Sequence, residues 1–517
     1  MERTSMRWWT LAVMGVCLLI LGLDSTVLNV TLPTLVRELG ASTRQLQWIL
    51  DIYLLVFGGL LLTMGSLGDR FGRKRLLLGA LVAFLGGSLL CAFSGSANVL
   101  ILARGIQGLG AAAIVPLTLA ILPVIFPVEE ERTKAIAIWS STAALGLPLG
   151  PIVAGLLLQH FWWGSVFLIN VPVIAVALIA GAILIPESKD PTAARIDPVG
   201  AVLSVTGLMA LLYGVITGPS EGWSDGVVVA TLTAGVVLLA AFLVWERRTS
   251  HPMLDLSMFR NPRFSWAIVA MGLTVFGLVG LMFTLTQYLQ FVLGYSALRA
   301  GVALLPLVIA LAIAAPISAQ LVLRFGAKIV IAIGLGITAA GMLLFSTTTI
   351  DSGYRLAGIA LAVVGVGMGT AMAQAANCVM GAVPIEQTGR GSATLATTRS
   401  LGAAFGVAIL GSMLSSVYVS RLGDALQGLP PTVADAAEDS VGTALQVASR
   451  LGSAGEPLAT AAKEAFIRGM DVCLMVGAGF ALAGALLVLA LLPARPGTVE
   501  GGAAVVPSEA VTGGRAA

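Results

Sequence analysis

Charge is scarce in this sequence. Asp, Glu, Lys and Arg make up 11% of its 517 residues, where soluble domains carry about 25%. With 57% apolar residues and a mean hydropathy of +0.97, that shortage excludes a soluble globule. Histidine is nearly absent: His160 and His251 stand far apart and form no metal-binding pattern. The four cysteines, Cys17, Cys91, Cys378 and Cys473, all fall inside apolar runs. They read as small core residues, neither disulfides nor metal ligands. No G-x-x-x-x-G-K-[ST] loop occurs, so the chain carries no ATP engine of its own. Any transport must draw on an ion gradient, with no cofactor expected beyond the proton gradient. No catalytic constellation is present, which argues against an enzyme. The net charge of +3 does not point to nucleic acid, because basic residues in such a chain set topology.

What fills the chain is a succession of apolar runs. About 20 residues at about 1.5 Å each cross the roughly 30 Å hydrocarbon core. Fourteen runs qualify: 9–30, 46–66, 76–95, 98–121, 135–158, 164–185, 198–217, 227–245, 265–291, 299–323, 328–347, 355–381, 393–417 and 470–493. Their helical length and Gly/Ala content predict an all-α polytopic membrane protein rather than a β-barrel. Met1–Val30 resembles a signal peptide, with Arg3 and Arg7 before an apolar run. Asp24 and the lack of a clear cleavage site make it the uncleaved first span instead. An even span count puts both termini on one side. Lys and Arg concentrate in the loops of that side, which the positive-inside rule makes cytoplasmic. Trp8, Trp9, Trp48, Trp162, Trp163, Trp245 and Trp266 sit at span ends, the aromatic-belt position.

One connection stands out: Gly65-Ser66-Leu67-Gly68-Asp69-Arg70-Phe71-Gly72-Arg73-Lys74-Arg75. It is a tight hairpin between two spans, and its basic residues place it in the cytoplasm. Gly65, Gly68 and Gly72 permit close approach and the turn. Asp69 needs a partner, either one of those arginines or the positive N-terminus of a neighbouring helix. A partnership that breaks and re-forms is what a gate requires. Arg324-Phe325-Gly326-Ala327-Lys328 echoes Arg70-Phe71-Gly72-Arg73-Lys74. The repeat divides the chain into two six-helix bundles, 1–190 and 251–495, with two inserted linker spans in 191–250. Leu323 precedes Arg324, so the second copy lacks the acid and any charge latch is asymmetric. The external loop 418–468 is expected to form short amphipathic helices around Pro430-Pro431. The cytoplasmic tail 496–517 is expected to be disordered.

Few charges lie well inside spans, and each is costly there and therefore a functional candidate. They are Asp24, Asp51, Arg104 and Arg399. Counting residues from the span ends puts Asp24 about 23 Å from the cytoplasmic side. Asp51 and Arg104 fall about 9 Å from the outer side. All three come within one or two turns of one level and are expected to form one titratable cluster. A carboxylate in low dielectric binds a proton more readily, and a nearby Arg opposes this. Proton and cationic substrate then compete for one carboxylate, which is exchange in its simplest form. Asp24 or Asp51 could instead be a helix-packing hydrogen bonder. Arg399 lies toward the cytoplasmic end of its span, and snorkelling to the interface is expected.

The hairpin resembles motif A of the major facilitator superfamily, G-x-L-x-D-R-x-G-R-[KR]. Leu23-Asp24-Ser25-Thr26-Val27-Leu28-Asn29-Val30-Thr31-Leu32-Pro33 resembles the span-1 signature of its fourteen-span drug:proton antiporters, with Thr31 in place of Ala. Ala103-Arg104-Gly105-Ile106-Gln107-Gly108-Leu109-Gly110-Ala111 is similar to motif B. Gly146-Leu147-Pro148-Leu149-Gly150-Pro151-Ile152-Val153-Ala154-Gly155 is similar to motif C, the antiporter signature. Phe161-Trp162-Trp163-Gly164-Ser165-Val166-Phe167-Leu168-Ile169-Asn170-Val171-Pro172 resembles another element of that family. Gln47-Trp48-Ile49-Leu50-Asp51-Ile52-Tyr53 resembles the span-2 start of its quaternary-ammonium exporters.

The resemblance implies a proton-coupled exporter of amphiphilic drugs, cationic or neutral, in the bacterial inner membrane. Asp24 and Arg104 would couple the proton, and Asp24 and Asp51 would meet substrate. Gly65, Asp69, Arg70, Gly72 and Arg73 would gate, latching the inward-closed state. Gly146, Pro148, Gly150, Pro151 and Gly155 would make a kinked, closely packed helix. The implied partners are small amphiphiles, protons and membrane lipids, around a monomer. One departure matters: antiseptic exporters of this group carry acids in span 13, and here that stretch reads Ala396-Thr397-Thr398-Arg399-Ser400-Leu401-Gly402. A dedicated exporter of one endogenous antibiotic or lipid-like metabolite would share these motifs. A substrate-gated channel or receptor is a further alternative, which motif C and the paired bundles disfavour.

Overall fold

The computed structural model describes residues 2–189, 197–249, 252, 254, 256–383, 388–426 and 430–493. The tail expected to be disordered lies outside these residues. The described chain is helical. In the first half run α1 (Glu2–Leu39), α2 (Thr43–Phe71), α3 (Arg73–Ala92), α4 (Ala97–Ile125), α5 (Glu129–His160), α6 (Ser165–Leu168) and α7 (Asn170–Leu184). A hairpin of α8 (Pro198–Glu221) and α9 (Gly226–Arg248) follows. The second half holds α10 (Pro262–Gln287), α11 (Ala297–Ala303), α12 (Leu305–Phe345), α13 (Gly353–Gly381) and α14 (Thr388–Leu422). It ends with α15 (Pro431–Asp439), α16 (Val441–Arg450) and α17 (Glu456–Leu491).

Among the described residues, eleven helices are long and apolar enough to cross a membrane, twelve if the bent pair in α2 counts as one. The fourteen sequence runs differ from this in three places. Two runs merge into Ala297–Phe345, which is broken where Gly326 takes φ 79°, ψ 155°. Residues Thr43–Leu61 and Thr63–Phe71 meet at 51°. In α5 the described residues supply a short apolar helix, Leu149–His160, within the longer Glu129–His160. Gly326 and Gly72 (φ 115°) occupy equivalent positions in the two echoed hairpins. Each takes a positive φ that a side chain would resist.

Helix starts follow local chemistry. Ser42 and Gln45 close a capping box on α2, Ser96 caps α4, and Asp225 caps α9. Each satisfies N–H groups that the first turn leaves unpaired.

Packing divides the helices. One apolar cluster draws only on the first half, from Leu11 to Ile185. A second is built on α10, α12, α13 and α17 of the second half. The largest cluster takes residues from both halves, and its members in α1 and α2 run from Val27 to Leu50. These lie toward the end of the molecule opposite Asp69. The two halves therefore share their largest core toward that end, with a smaller contact of Leu55 on Ala404 and Ala408 beside the inserted hairpin. The hairpin α8–α9 stands to one side. α8 packs against α2 and α14, whereas α9 buries only 11% of its apolar window. Residues 430–455 fold as two short helices over that same closed end. There Gly442 lies against Val36 of α1 and Phe291 beyond α10.

Candidate functional site

Small residues let α4 approach its neighbours. A Cβ on Gly108 would stand 2.9 Å from the Tyr53 carbonyl of α2, and one on Gly110 would stand 2.7 Å from the Ala80 carbonyl of α3. This contact drives Arg104 into the middle of the first half, where the residue is 1% exposed. Its Nη1 donates to Asp24 Oδ2 of α1 at 2.6 Å and to Gln107 Oε1, one turn on, at 2.6 Å. Its Nε donates to the Ile49 carbonyl at 3.3 Å. The guanidinium lies over the Tyr53 ring at 4.0 Å, a favourable face for a cation.

Asp24 is held from several sides. Gln107 Nε2 donates to its Oδ1 at 2.8 Å, and Asn170 Nδ2 of α7 donates to the same oxygen at 3.0 Å. Both amides also donate to Ser88 Oγ of α3, at 3.0 and 3.3 Å. The site is a dry ion pair ringed by neutral hydrogen bonds, which is how a buried charge becomes tolerable. The sequence reading places Asp24 and Arg104 together, and they are. Gln107, Asn170 and Tyr53 lie within its motif stretches but carry no assigned role there. Ser88 has no sequence signal beyond being a polar residue in an apolar run.

Asp51 does not join this cluster. It is fully buried, and both carboxylate oxygens lack a hydrogen-bond partner among the described residues. The reason is helical geometry. The α2 face toward α4 carries Ile49, Ile52, Tyr53 and Val56. Asp51 lies on the face that carries Gln47 and Gly58, four and seven residues away, and that face meets α14. Gln47 donates to the Val407 and Ala408 carbonyls, each at 3.2 Å. Thr397 Oγ1 donates to the Gly58 carbonyl at 3.3 Å. So the expected single cluster is two places: a bonded pair inside the first half and an unpartnered acid in the seam between halves.

The hairpin after α2 bonds within the first half. Arg73 donates to Asp69 at 2.8 Å and to the Ala120 carbonyl at 3.0 Å. Arg70 is exposed, with its guanidinium carbon 5.8 Å from the Phe71 ring centre. Gly65 packs against Pro116, and a Cβ on Gly72 would collide with the Glu187 carboxylate at 2.7 Å. Glu187, which the sequence reading did not single out, accepts from Lys74 N and pairs with Arg75 at 3.6 Å. No bond from these residues to the second half occurs among the described residues.

In α5, Gly146 and Gly150 pack on α1. A Cβ at 146 would lie 2.6 Å from the Leu19 carbonyl, and one at 150 would run into Thr26. Gly155 and the Pro151 carbonyl instead face α11 of the second half, where they oppose Leu298 and Gly301. The Pro148 side chain lies outside the described residues. Gln290, in the π-helical turn Tyr288–Val292 that ends α10, also crosses between halves and donates to the Val30 carbonyl at 2.8 Å.

Apolar spanning helices around a buried charge pair fit a membrane transporter, the class to which the chain's family assigns it. The chain belongs to the Major Facilitator Superfamily, whose sequence pattern matches residues 14–407. It is 36% identical over 488 residues to the multidrug efflux pump LfrA of Mycolicibacterium smegmatis, covering 94% of this chain and 96% of that one. It is 34% identical over 469 residues to the methyl viologen resistance protein SmvA of Salmonella typhimurium, covering 90% and 94%. The fold resembles the crystal structure of a bacterial homologue of the human lysosomal transporter Spinster, with a TM-score of 0.64 at 16% identity. That match covers 94% of this chain and 98% of the other.

Proposed function

We propose that this protein is a proton-coupled exporter of amphiphilic drugs, cationic or neutral, from the bacterial cytoplasm. The observation that carries the reading is the Asp24–Arg104 pair at 2.6 Å, buried from water and surrounded by neutral donors. When Arg104 moves off Asp24, the carboxylate is left in low dielectric and takes up a proton. When the guanidinium returns, the proton is expelled. One charge falling through 100 mV supplies about 2.3 kcal/mol, enough for about fifty-fold accumulation. The efflux and resistance relatives supply the drug class, and Asp51, unpartnered in the seam, supplies a carboxylate for a cationic head group.

Fourteen crossings follow if α2, α5 and both arms of α12 about Gly326 each span the bilayer. An even count puts both termini on one side, and the basic residues of the Asp69 hairpin favour the cytoplasm for that side. The halves then divide as 1–190 and 251–495, with 191–250 inserted between them. With that orientation, the end where the halves pack together is the outer one, and the state is closed to the outside. In it the Asp69–Arg73 pair is at rest within its own bundle, ready to engage the other half when the inner side closes. The unit is a monomer, with the proton gradient as its only energy source.

The test is proton-driven accumulation of a fluorescent lipophilic cation in inverted vesicles. Wild type should concentrate the dye. Asp24→Asn should abolish uphill transport. Asp51→Asn should weaken cations and spare neutral drugs. If both variants behave as wild type, the proton is carried elsewhere and the reading fails. If unrelated drugs do not compete with one another, the protein is a dedicated exporter.

A further inference from the structure

Arg399, for which the sequence leads to an expectation of snorkelling to an interface, is placed by the packing of α14. The residue lies eleven positions after Thr388, about 16 Å along the helix. Its neighbours on α14 fix three sides. Thr397 and Ser400 face α2: Thr397 Oγ1 bonds the Gly58 carbonyl at 3.3 Å, and a Cβ on Gly58 would stand 2.6 Å from Ser400 Cβ. Thr398 and Gly402 face α10, since a Cβ on Gly402 would stand 2.6 Å from the Gly272 carbonyl. Leu401 and Phe405 pack with Leu208 and Leu212 of the inserted hairpin. At about 100° per residue, Arg399 falls between the α10 and α2 directions, on the side away from the hairpin. On that side α2 of the first half and α10 of the second flank Arg399, and the residue is exposed there. Among the described residues it has no ion-pair partner.

An exposed guanidinium within a membrane-spanning helix is costly unless water or a ligand receives it. Its five donors in a planar fork match a carboxylate or sulfonate better than any neutral group. We infer that Arg399 is a substrate-binding residue of the space between the halves and takes the anionic group of an amphiphile. Asp51 lies in the same α2–α14 seam, on the opposing helix. One acid and one base on two bundles fit a zwitterionic amphiphile, with its cationic end toward α2 and its anionic end toward α14. This rests on the exporter reading for its substrate class but extends it, since cations and neutral drugs give Arg399 nothing to bind.

Rhodamine B and its ethyl ester test this, because they differ only in a free carboxylate. Binding is read by fluorescence anisotropy on the purified full-length protein in detergent. Arg399→Gln should raise the Kd for rhodamine B about tenfold, the size expected for losing a hydrogen bond to a charged group, and move the ester less than twofold. Arg399→Lys should keep part of the rhodamine B affinity, and Arg399→Glu should reverse the preference. If the two dyes shift together, or neither shifts, Arg399 does not read the carboxylate and the inference falls. Uphill export is measured separately in vesicles. A dye-selective binding loss without uphill export by wild type would sink the exporter reading and leave this one standing. Uphill export with no dye selectivity would do the reverse.

Discussion

Arg104 and Asp24 meet at 2.6 Å with side chains 2% and 0% exposed, eighty residues apart in sequence and on different helices. Among the described residues, no other ion pair of the first half is so far from water. The pair needs its surroundings: Gln107 bridges both members, and Asn170 and Ser88 complete the ring. Two buried charges without such a ring would be held together at a net loss.

This arrangement separates stability from coupling. Asp24→Asn leaves Arg104 charged and desolvated, and Arg104→Met leaves Asp24 in the same condition. Each single change should cost about 3–5 kcal/mol, whereas Asp24→Asn with Arg104→Met together should cost distinctly less. All three variants should lose uphill transport. Thermal unfolding in detergent, arranged as a double-mutant cycle, reads the first effect, and vesicle accumulation reads the second. Additive losses would mean that the pair is not an energetic unit.

The legible parts of the chain were those where chemistry is local. Charge depth along α1 and α4 was enough to bring Asp24 and Arg104 to one level, because residue count converts directly to height. It could not bring Asp51 into their cluster or keep it out, because height says nothing about which way a helix face points. Facing depends on where α4 and α14 pack against α2, and those contacts run through glycines and backbone carbonyls that leave no polar signature. Arg399 shows the same limit: its position in the span was visible, but the helices that flank it were not. At Gly326 the local signal sufficed: the echoed hairpin turns there through one non-helical residue, and Leu307 and Leu311 before it and Gly334 and Gly341 after it pack on the same stretch of α13.

Asp439 ends α15 over the closed face. Its backbone carbonyl accepts from Thr43 Oγ1 at 2.8 Å, which ties the segment to the start of α2. Burial against this face, with Asp435 nearby, holds the Asp439 carboxyl above its usual value of 3.8, and Arg44 partly opposes the rise. A carboxyl raised in the docked state binds its proton more tightly there than when released. Docking is therefore strongest below about 3.8 and loses this contribution as pH climbs through the raised value. Hydrogen exchange in Val441–Arg450 should quicken modestly as pH rises across that window, after correction for intrinsic rates. In Asp439→Asn that dependence should flatten. An unchanged profile would show that Glu221, Glu438 or Asp435, the other acids at this face, control it.

Gly155 of α5 and Gly301 of α11 pass each other where the halves touch. A Cβ on Gly155 would stand 2.5 Å from Leu298 Cα, with the Ala297 carbonyl at 3.1 Å, and one on Gly301 would strike the Pro151 carbonyl. The obstacles are backbone atoms, so a side chain at either site cannot be accommodated by turning a rotamer. Gly155→Val should therefore oppose closure of this end by about 1–3 kcal/mol, the usual cost of overpacking. Gly146 and Gly150 face α1 within their own bundle, so Gly150→Val should instead lower the stability of the first half and leave the balance of states alone. Spin labels on exposed positions near His160 and Arg299 can tell the two apart. With Gly155→Val the label separation should lengthen while thermal stability stays near wild type. With Gly150→Val the unfolding temperature should fall while the distance distribution stays put. If Gly155→Val leaves the distances unchanged, the halves do not part at this contact, and the gate at this end lies with Gln290 and Val30 instead.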